Sequence, residues 1–188
     1  LDTKKVRQVT DSSTWYSTGG GFDYAWSPDG KWFTLEFIGN KHDPYSDIGL
    51  VNAQGGDIIN ITNSGYTSGS PRWVLDGNAI LFITERYGMR NHASWGSLND
   101  VMLVFLNQDA YDKFRLSKED YELQKELEKE QDKTKEDESK KDKQKDKDKK
   151  EDTKEEKVKD IVVELKNMED RIVRLTPNSS NLSSAIIS

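Results

Sequence analysis

Residues Tyr24–Phe37 read YAWSPDGKWFTLEF. Ser27-Pro28-Asp29-Gly30 has the chemistry of a tight turn. Pro28 presets φ for the first central position, Asp29 bonds the local backbone, and Gly30 tolerates a left-handed conformation. The flanks alternate in polarity. Tyr24 and Trp26 precede the turn; after it, Trp32 goes with Thr34, and Phe33 with Leu35 and Phe37. A period of two on both sides of such a turn predicts two antiparallel strands joined as a hairpin.

The stretch recurs. Aligned on the aromatic residue, Trp26-Ser27-Pro28-Asp29-Gly30 matches Trp73-Val74-Leu75-Asp76-Gly77. Phe33, Leu35 and Phe37 then fall on Ile80, Phe82 and Thr84, at a period of 47 residues, the size of a propeller blade. A second marker keeps the same register: VRQVT ends at Thr10, IINIT at Thr62 and IVRLT at Thr176. Each is a β-branched run followed by a polar turn. The expected fold is all-β, a β-propeller fragment of two four-stranded antiparallel blades with partial flanking strands and a charged insertion. Residues 1–21 would hold an outer strand near Val6–Thr10 and a linker. The first blade would be 22–69, with strands near 22–26, 31–37, 47–52 and 57–62. Residues 70–106 would supply three strands of the second blade, near 71–74, 79–84 and 100–106. Its fourth, near 171–176, would lie in 160–176, and 177–188 would begin another blade. Asp160–Leu165 (DIVVEL) is similar to Asp47–Val51 (DIGLV) and is expected to continue the third strand or replace its outer part.

The chain has 188 residues, enough for one ordinary domain. Its charge is unevenly spread: Lys118–Lys159 holds 15 Lys and 17 Asp or Glu in 42 residues. The other 146 residues carry 13 basic and 17 acidic side chains, a mildly acidic balance that gives no footprint for nucleic acid. There is no cysteine, which excludes disulfides and thiolate metal sites. No apolar run approaches a membrane span. The chain begins at Leu1 with neither an initiator Met nor a signal peptide, so it is expected to be an excerpt of a longer protein. The compartment, cytoplasmic or periplasmic, stays open.

Residues 107–159 form the expected insertion. NQDAYDKFRL, Asn107–Leu116, opens on N-cap types and spaces Ala110, Tyr111 and Phe114 as a helix does. Ser117 can cap a second helix, with Glu119 and Asp120 at its positive end. After Leu127 no apolar residue appears before Val158. Opposite-charge i,i+4 pairs contribute only ~0.2–0.5 kcal/mol each, against an ordering cost of ~1–2 kcal/mol per residue. The segment reads as a solvated, largely disordered or transiently helical insertion; the sharper alternative is a docking arm for a partner.

Chemical signals are few. No catalytic, cofactor-binding or metal-ligating set is identified, because the two histidines, His42 and His92, lack helix-face metal spacing and no Gly-x-Ser-x-Gly elbow occurs. His42 reads as an exposed loop residue. The densest stretch is Arg86–Trp95, RYGMRNHASW, in the loop between the second and third strands of the second repeat. Arg86, Tyr87, Arg90, His92 and Trp95 form the candidate peptide-binding set, since guanidinium groups hold carboxylates bidentately. The competing reading is a loop packed through its aromatics. Trp26, Pro28, Asp29, Gly30, Trp73, Asp76 and Gly77 are structural markers of the repeat, with both Trp expected to pack between blades. Open blade faces and unpaired edges favour a homo-oligomer, or terminal strands folding back to cover them.

WSPDGKW together with DIGLVNAQGGDIINIT resembles the Pro-Asp β-propeller repeat of TolB and tricorn-type proteins. The longer stretch from SPRWVLDGNAILFITERYGMRNHASW through the charged insertion to EDRIVRLTPNSSNLS resembles bacterial tricorn-like serine peptidases. That resemblance implies a non-catalytic propeller region guiding or gating peptide or unfolded polypeptide substrate toward a downstream protease domain that carries the catalytic Ser, His and Glu. No residue of this chain matches that catalytic motif. The rival is a TolB-like module that binds a protein partner. Val74-Leu75 stands where the repeat has Ser-Pro, which predicts a looser second turn.

Overall fold

A computed structural model describes residues 6–11, 14–16, 23–91, 96–142 and 159–187, with side chains left aside between 131 and 142. The chain divides into two compact units, Leu1–Ala110 with Val158–Ser188, and Tyr111–Lys157. The first holds two four-stranded antiparallel sheets, ordered β1-β2-β3-β4 and β5-β6-β7-β8. Their strands are β1 (Tyr24–Trp26), β2 (Trp32–Phe37), β3 (Asp47–Asn52), β4 (Ile59–Asn60), β5 (Ser68–Val74), β6 (Ala79–Thr84), β7 (Asp100–Phe105) and β8 (Ile172–Arg174). These two meanders agree with the all-β expectation.

The alternation in YAWSPDGKWFTLEF becomes two faces. β1 pairs with β2 through Trp26↔Phe33, and β5 with β6 through Trp73↔Ile80, so the two repeats share one register. Ile48, Leu50 and Ile61 from the first sheet meet Ile80, Phe82, Met102 and Val104 from the second in one buried cluster, with Trp32 and Trp73 packed against it. The opposite face of the first sheet gathers Leu35, Phe37 and Val51 with Val9, Tyr16 and Ile58. In the second sheet both rows are buried, including Leu81, Leu103 and Phe105, which is why AILFIT and DVMLVF read as continuous apolar runs.

The first turn is closed by its own side chains. The Ser27 hydroxyl donates to Asp29 Oδ1 at 2.6 Å and accepts from the Trp32 amide at 2.9 Å. The Lys31 amide donates to the same Asp29 oxygen at 3.0 Å, and Gly30 takes φ 67°. The second turn is different rather than looser. Leu75, Asp76 and Gly77 all take left-handed conformations, with φ of 52°, 54° and 85°.

A second element of the repeat appears where each third strand begins. The Thr62 hydroxyl donates to the buried Asp47 Oδ1 at 2.8 Å and accepts from the Ile48 amide at 3.0 Å. Thr176 does the same at Asp100 Oδ1, at 2.7 Å, and accepts from the Val101 amide at 3.3 Å. The second carboxylate oxygens accept from Asn60 Nδ2 at 2.9 Å and from the Ser179 hydroxyl at 2.7 Å. Each clasp ties a fourth strand to its third.

Four expectations are corrected. Asp160–Leu165 forms no strand; the equivalent of Asp47 is Asp100, and 160–165 lies as an extended strap over the junction of the sheets. Its Ile161 amide donates to Asp29 Oδ2 at 3.0 Å and its Glu164 amide to the Leu106 carbonyl at 2.7 Å. Val6–Val9 is extended but unpaired as a strand, and beside it Arg7 Nη1 donates to Gln54 Oε1 at 2.6 Å. Residues 177–187 form no strand; their β-pairing is the isolated bridge Asn99↔Ser180, beside the bonds of Ser179 to Asp100 and of Asn99 Nδ2 to the Leu182 carbonyl. Trp26 is 54 % exposed, its ring against Phe33 at 3.7 Å between centroids, whereas Trp73 reaches the other sheet and donates from Nε1 to the Ala25 carbonyl at 3.1 Å. The difference is that Trp73 has a sheet in front of it and Trp26 does not.

Helix α1 (Gln108–Phe114) begins in the first unit and ends in the second, which holds α2 (Lys118–Asp142). The Ser117 hydroxyl caps α2, accepting from the Asp120 amide at 3.1 Å. Lys113 pairs with Glu128 at 2.7 Å. The helix continues past Leu127, where the apolar residues stop; residues 143–158, which the disorder expectation includes, lie outside the described residues. No helix among the described residues is long and apolar enough to cross a membrane.

Candidate functional site

The loop from Glu85 to Asn99 leaves β6 and returns to β7. It is a second small hairpin: the Leu98 amide donates to the Met89 carbonyl at 2.9 Å and the Asn91 amide to the Gly96 carbonyl at 3.0 Å. Gly88 is required by contact, since a Cβ there would overlap the Leu98 carbonyl. Glu85 anchors the base, accepting from the Thr67 amide at 3.2 Å and from the Ser97 hydroxyl at 2.7 Å.

This geometry divides the candidate residues. Arg90 is committed to the scaffold: its guanidinium pairs with Glu85 at 3.1 Å and lies 4.5 Å from the Tyr66 ring centroid and 5.8 Å from that of Tyr45. Arg86 is exposed and lies 5.6 Å from the Tyr87 ring, with no carboxylate partner among the described residues. Tyr87 is half exposed and has Arg174 on its other contact, at 5.2 Å. Arg174 is itself held by Asp100, with Nε at 3.0 Å and Nη2 at 2.8 Å. His92 and Trp95 lie outside the described residues. His42 is exposed, with its ring 6.1 Å from that of Tyr45.

Two cavities adjoin this loop. The larger, about 660 Å³, is a cleft between the outer strands of the two sheets. One wall is the β4 segment Ile59–Ser64, the other is Leu165, Met168, Glu169 and Ile172, and Phe82 and Met102 lie at its base. Arg86 and Tyr87 stand at its edge. The smaller, about 290 Å³, brings together Glu36, Tyr45, Ser46, Glu85 and Arg90. Burial pushes the Glu36 carboxyl above its ordinary value, and the Asp23 charge adds to this, against the opposing hydrogen bonds from Ser46 and the Ser70 amide.

The wall residues Leu165–Glu169 were not among the sequence-derived candidates. They depend on Arg171, which is 2 % exposed. Its guanidinium donates to the carbonyls of Phe105 at 3.2 Å, Lys166 at 3.0 Å and Asn167 at 3.4 Å, and also to that of Glu164. One buried arginine thus fixes the turn between the strap and β8. The signal for it in the sequence was weak, because a single Arg in EDRIVRL has no distinguishing neighbour. Among the described residues no three His, Cys, Asp or Glu side chains converge as metal ligands.

Comparison with known proteins adds a limited likeness. A 59-residue stretch is 34% identical to the uncharacterized peptidase YuxL of Bacillus subtilis (strain 168), covering 31% of this chain. The chain spans 9% of that protein's length. No family model and no solved structure matches.

Proposed function

We propose that this chain is a non-catalytic pair of β-propeller blades from a tricorn-like serine peptidase, where it guides or gates peptide substrate toward a protease domain outside these residues. The observation that carries the reading is the repeated four-stranded unit: a Trp at one register position, a hairpin turn, and an Asp–Thr clasp closing the fourth strand in both sheets. The likeness to YuxL, itself named a peptidase, supports the association with proteolysis. The partners in this reading are peptide or unfolded polypeptide, further blades, and the protease domain. The exposed Tyr24 and Trp26 face would take a further sheet, or in its absence a second copy of the chain.

The test is the coding sequence beyond Ser188 joined to an activity assay of the whole protein. A serine peptidase domain downstream, with peptide hydrolysis lost on replacing its nucleophile, is the expected result. Further repeats followed by termination would overturn it in favour of a TolB-like protein-binding propeller.

A further inference from the structure

The cleft between the sheets offers a surface that the loop sequence did not reveal. Its walls are β4 and β8, and each is the last strand of its sheet. Apolar surface is available there: Leu165 is 51 % exposed at the rim, while Ile59 and Ile172 are half-buried. Charge is available as well. Arg86 and Glu169 both line the cleft, and among the described residues neither has an ion-pair partner. A guanidinium and a carboxylate left open beside an apolar base are complementary to a ligand carrying acid, apolar group and base in succession.

We propose that this inter-sheet cleft binds an extended peptide segment in which an apolar residue is flanked by an acidic and a basic residue, the acid meeting Arg86 and the base meeting Glu169. The assignment rests on the peptide-binding reading above and gives it a place and a preference. It concerns internal segments of a chain, because the recognition comes from side chains rather than from a terminus. The stretch between Leu127 and Val158 is a poor occupant of the same cleft, since it holds no apolar residue to fill the base.

Peptides with blocked termini test this, titrated into the whole 188-residue chain and followed by amide shifts. The probes are Ac-Gly-Lys-Leu-Asp-Gly-amide, its reversed-order counterpart, and a control with both charges replaced by Gln. The expected result is that at least one charged probe shifts the amides of 59–64 and 165–172, and that the Gln control binds about tenfold more weakly or worse. Arg86→Glu should lower affinity for the charged probe by a similar factor. Combining it with Glu169→Lys should restore binding to the probe of opposite order. Both side chains are exposed, so an unchanged amide spectrum away from the cleft verifies the fold of each variant. If probes bind with shifts elsewhere, or are indifferent to Arg86→Glu, the cleft assignment falls while peptide binding stands. If no probe binds at millimolar concentration, both fall for this chain.

Discussion

Three buried or half-buried carboxylates illustrate how differently one residue type behaves in this fold. Asp29 and Asp100 are each pushed up by burial, but their hydrogen bonds win and hold both below the ordinary value of 3.8. For Asp100 the donors are Thr176, Ser179 and Arg174. Both therefore contribute stability that is present above that value and is lost as pH falls through their depressed folded values. Glu36 is the opposite case: it lies at the junction of the sheets with burial dominant, and its carboxyl sits above the ordinary 4.5. The sign follows. The stability tied to its neutral form is complete below 4.5 and is lost as pH rises through the raised folded value. Glu36→Gln cannot titrate, so the difference in unfolding free energy between wild type and variant should drift against wild type across that window. Chemical denaturation at several pH values measures it, and a constant difference would remove the assigned role. None of this was legible beforehand. TLEFIG shows a Glu in an alternating strand, and only the arrival of β5 opposite it makes the position half-buried.

At the scale of elements, the strap and the two hairpin turns depend on one another. Ile161 lies against Gly77, whose φ of 85° already excludes most side chains, and a methyl at Gly77 would meet Ile161 Cδ1 and lie beside Pro28. Gly77→Ala is expected to destabilise by about 1–3 kcal/mol. Adding Ile161→Val should recover part of that loss by removing the colliding methyl, though not the φ strain. Thermal unfolding of the single and double variants decides between contact and backbone. Arg171→Met should cost about 3 kcal/mol or more, since it strands several buried carbonyls, while Arg171→Lys should retain part of the stability through its remaining donors. Equal loss from both would show that the planar guanidinium is indispensable. The turns were readable from Pro, Asp and Gly. The strap was mistaken for a strand because DIVVEL has strand composition, and composition does not say whether a neighbouring edge is free.

For the molecule as a whole, the two-sheet plan followed from the spacing of Trp26 and Trp73, and the register of those positions agrees in both sheets. What spacing alone did not disclose is that equivalence in a repeat is positional rather than environmental. Trp73→Ala is expected to cost about 3 kcal/mol or more, because its ring packs against the shared core and bonds Ala25. Trp26→Ala should cost under about 1 kcal/mol in the isolated chain, as expected for an exposed position. If the open face associates with a second copy, sedimentation should show a rise in mass with concentration that Trp26→Ala weakens. A constant monomeric mass for both would count against self-association there. The candidate site was half legible: the sequence pointed to the Arg86 loop, but one wall of the cleft comes from residues about eighty positions later.

That long separation bears on the order in which the molecule assembles. In the first sheet the last pairing joins Leu50 to Ile59, and in the second it joins Met102 to Arg174. Closing the longer loop costs about 2 kcal/mol more in chain entropy by the logarithmic law. The closing pair of the second sheet is therefore expected to form later than that of the first. During synthesis β5–β7 emerge well before β8, leaving the β7 edge and the base of the cleft open to another strand. The Asp100 clasp and Arg171 join groups at the two ends of that longer loop, so they are expected to engage after β5–β7 have paired.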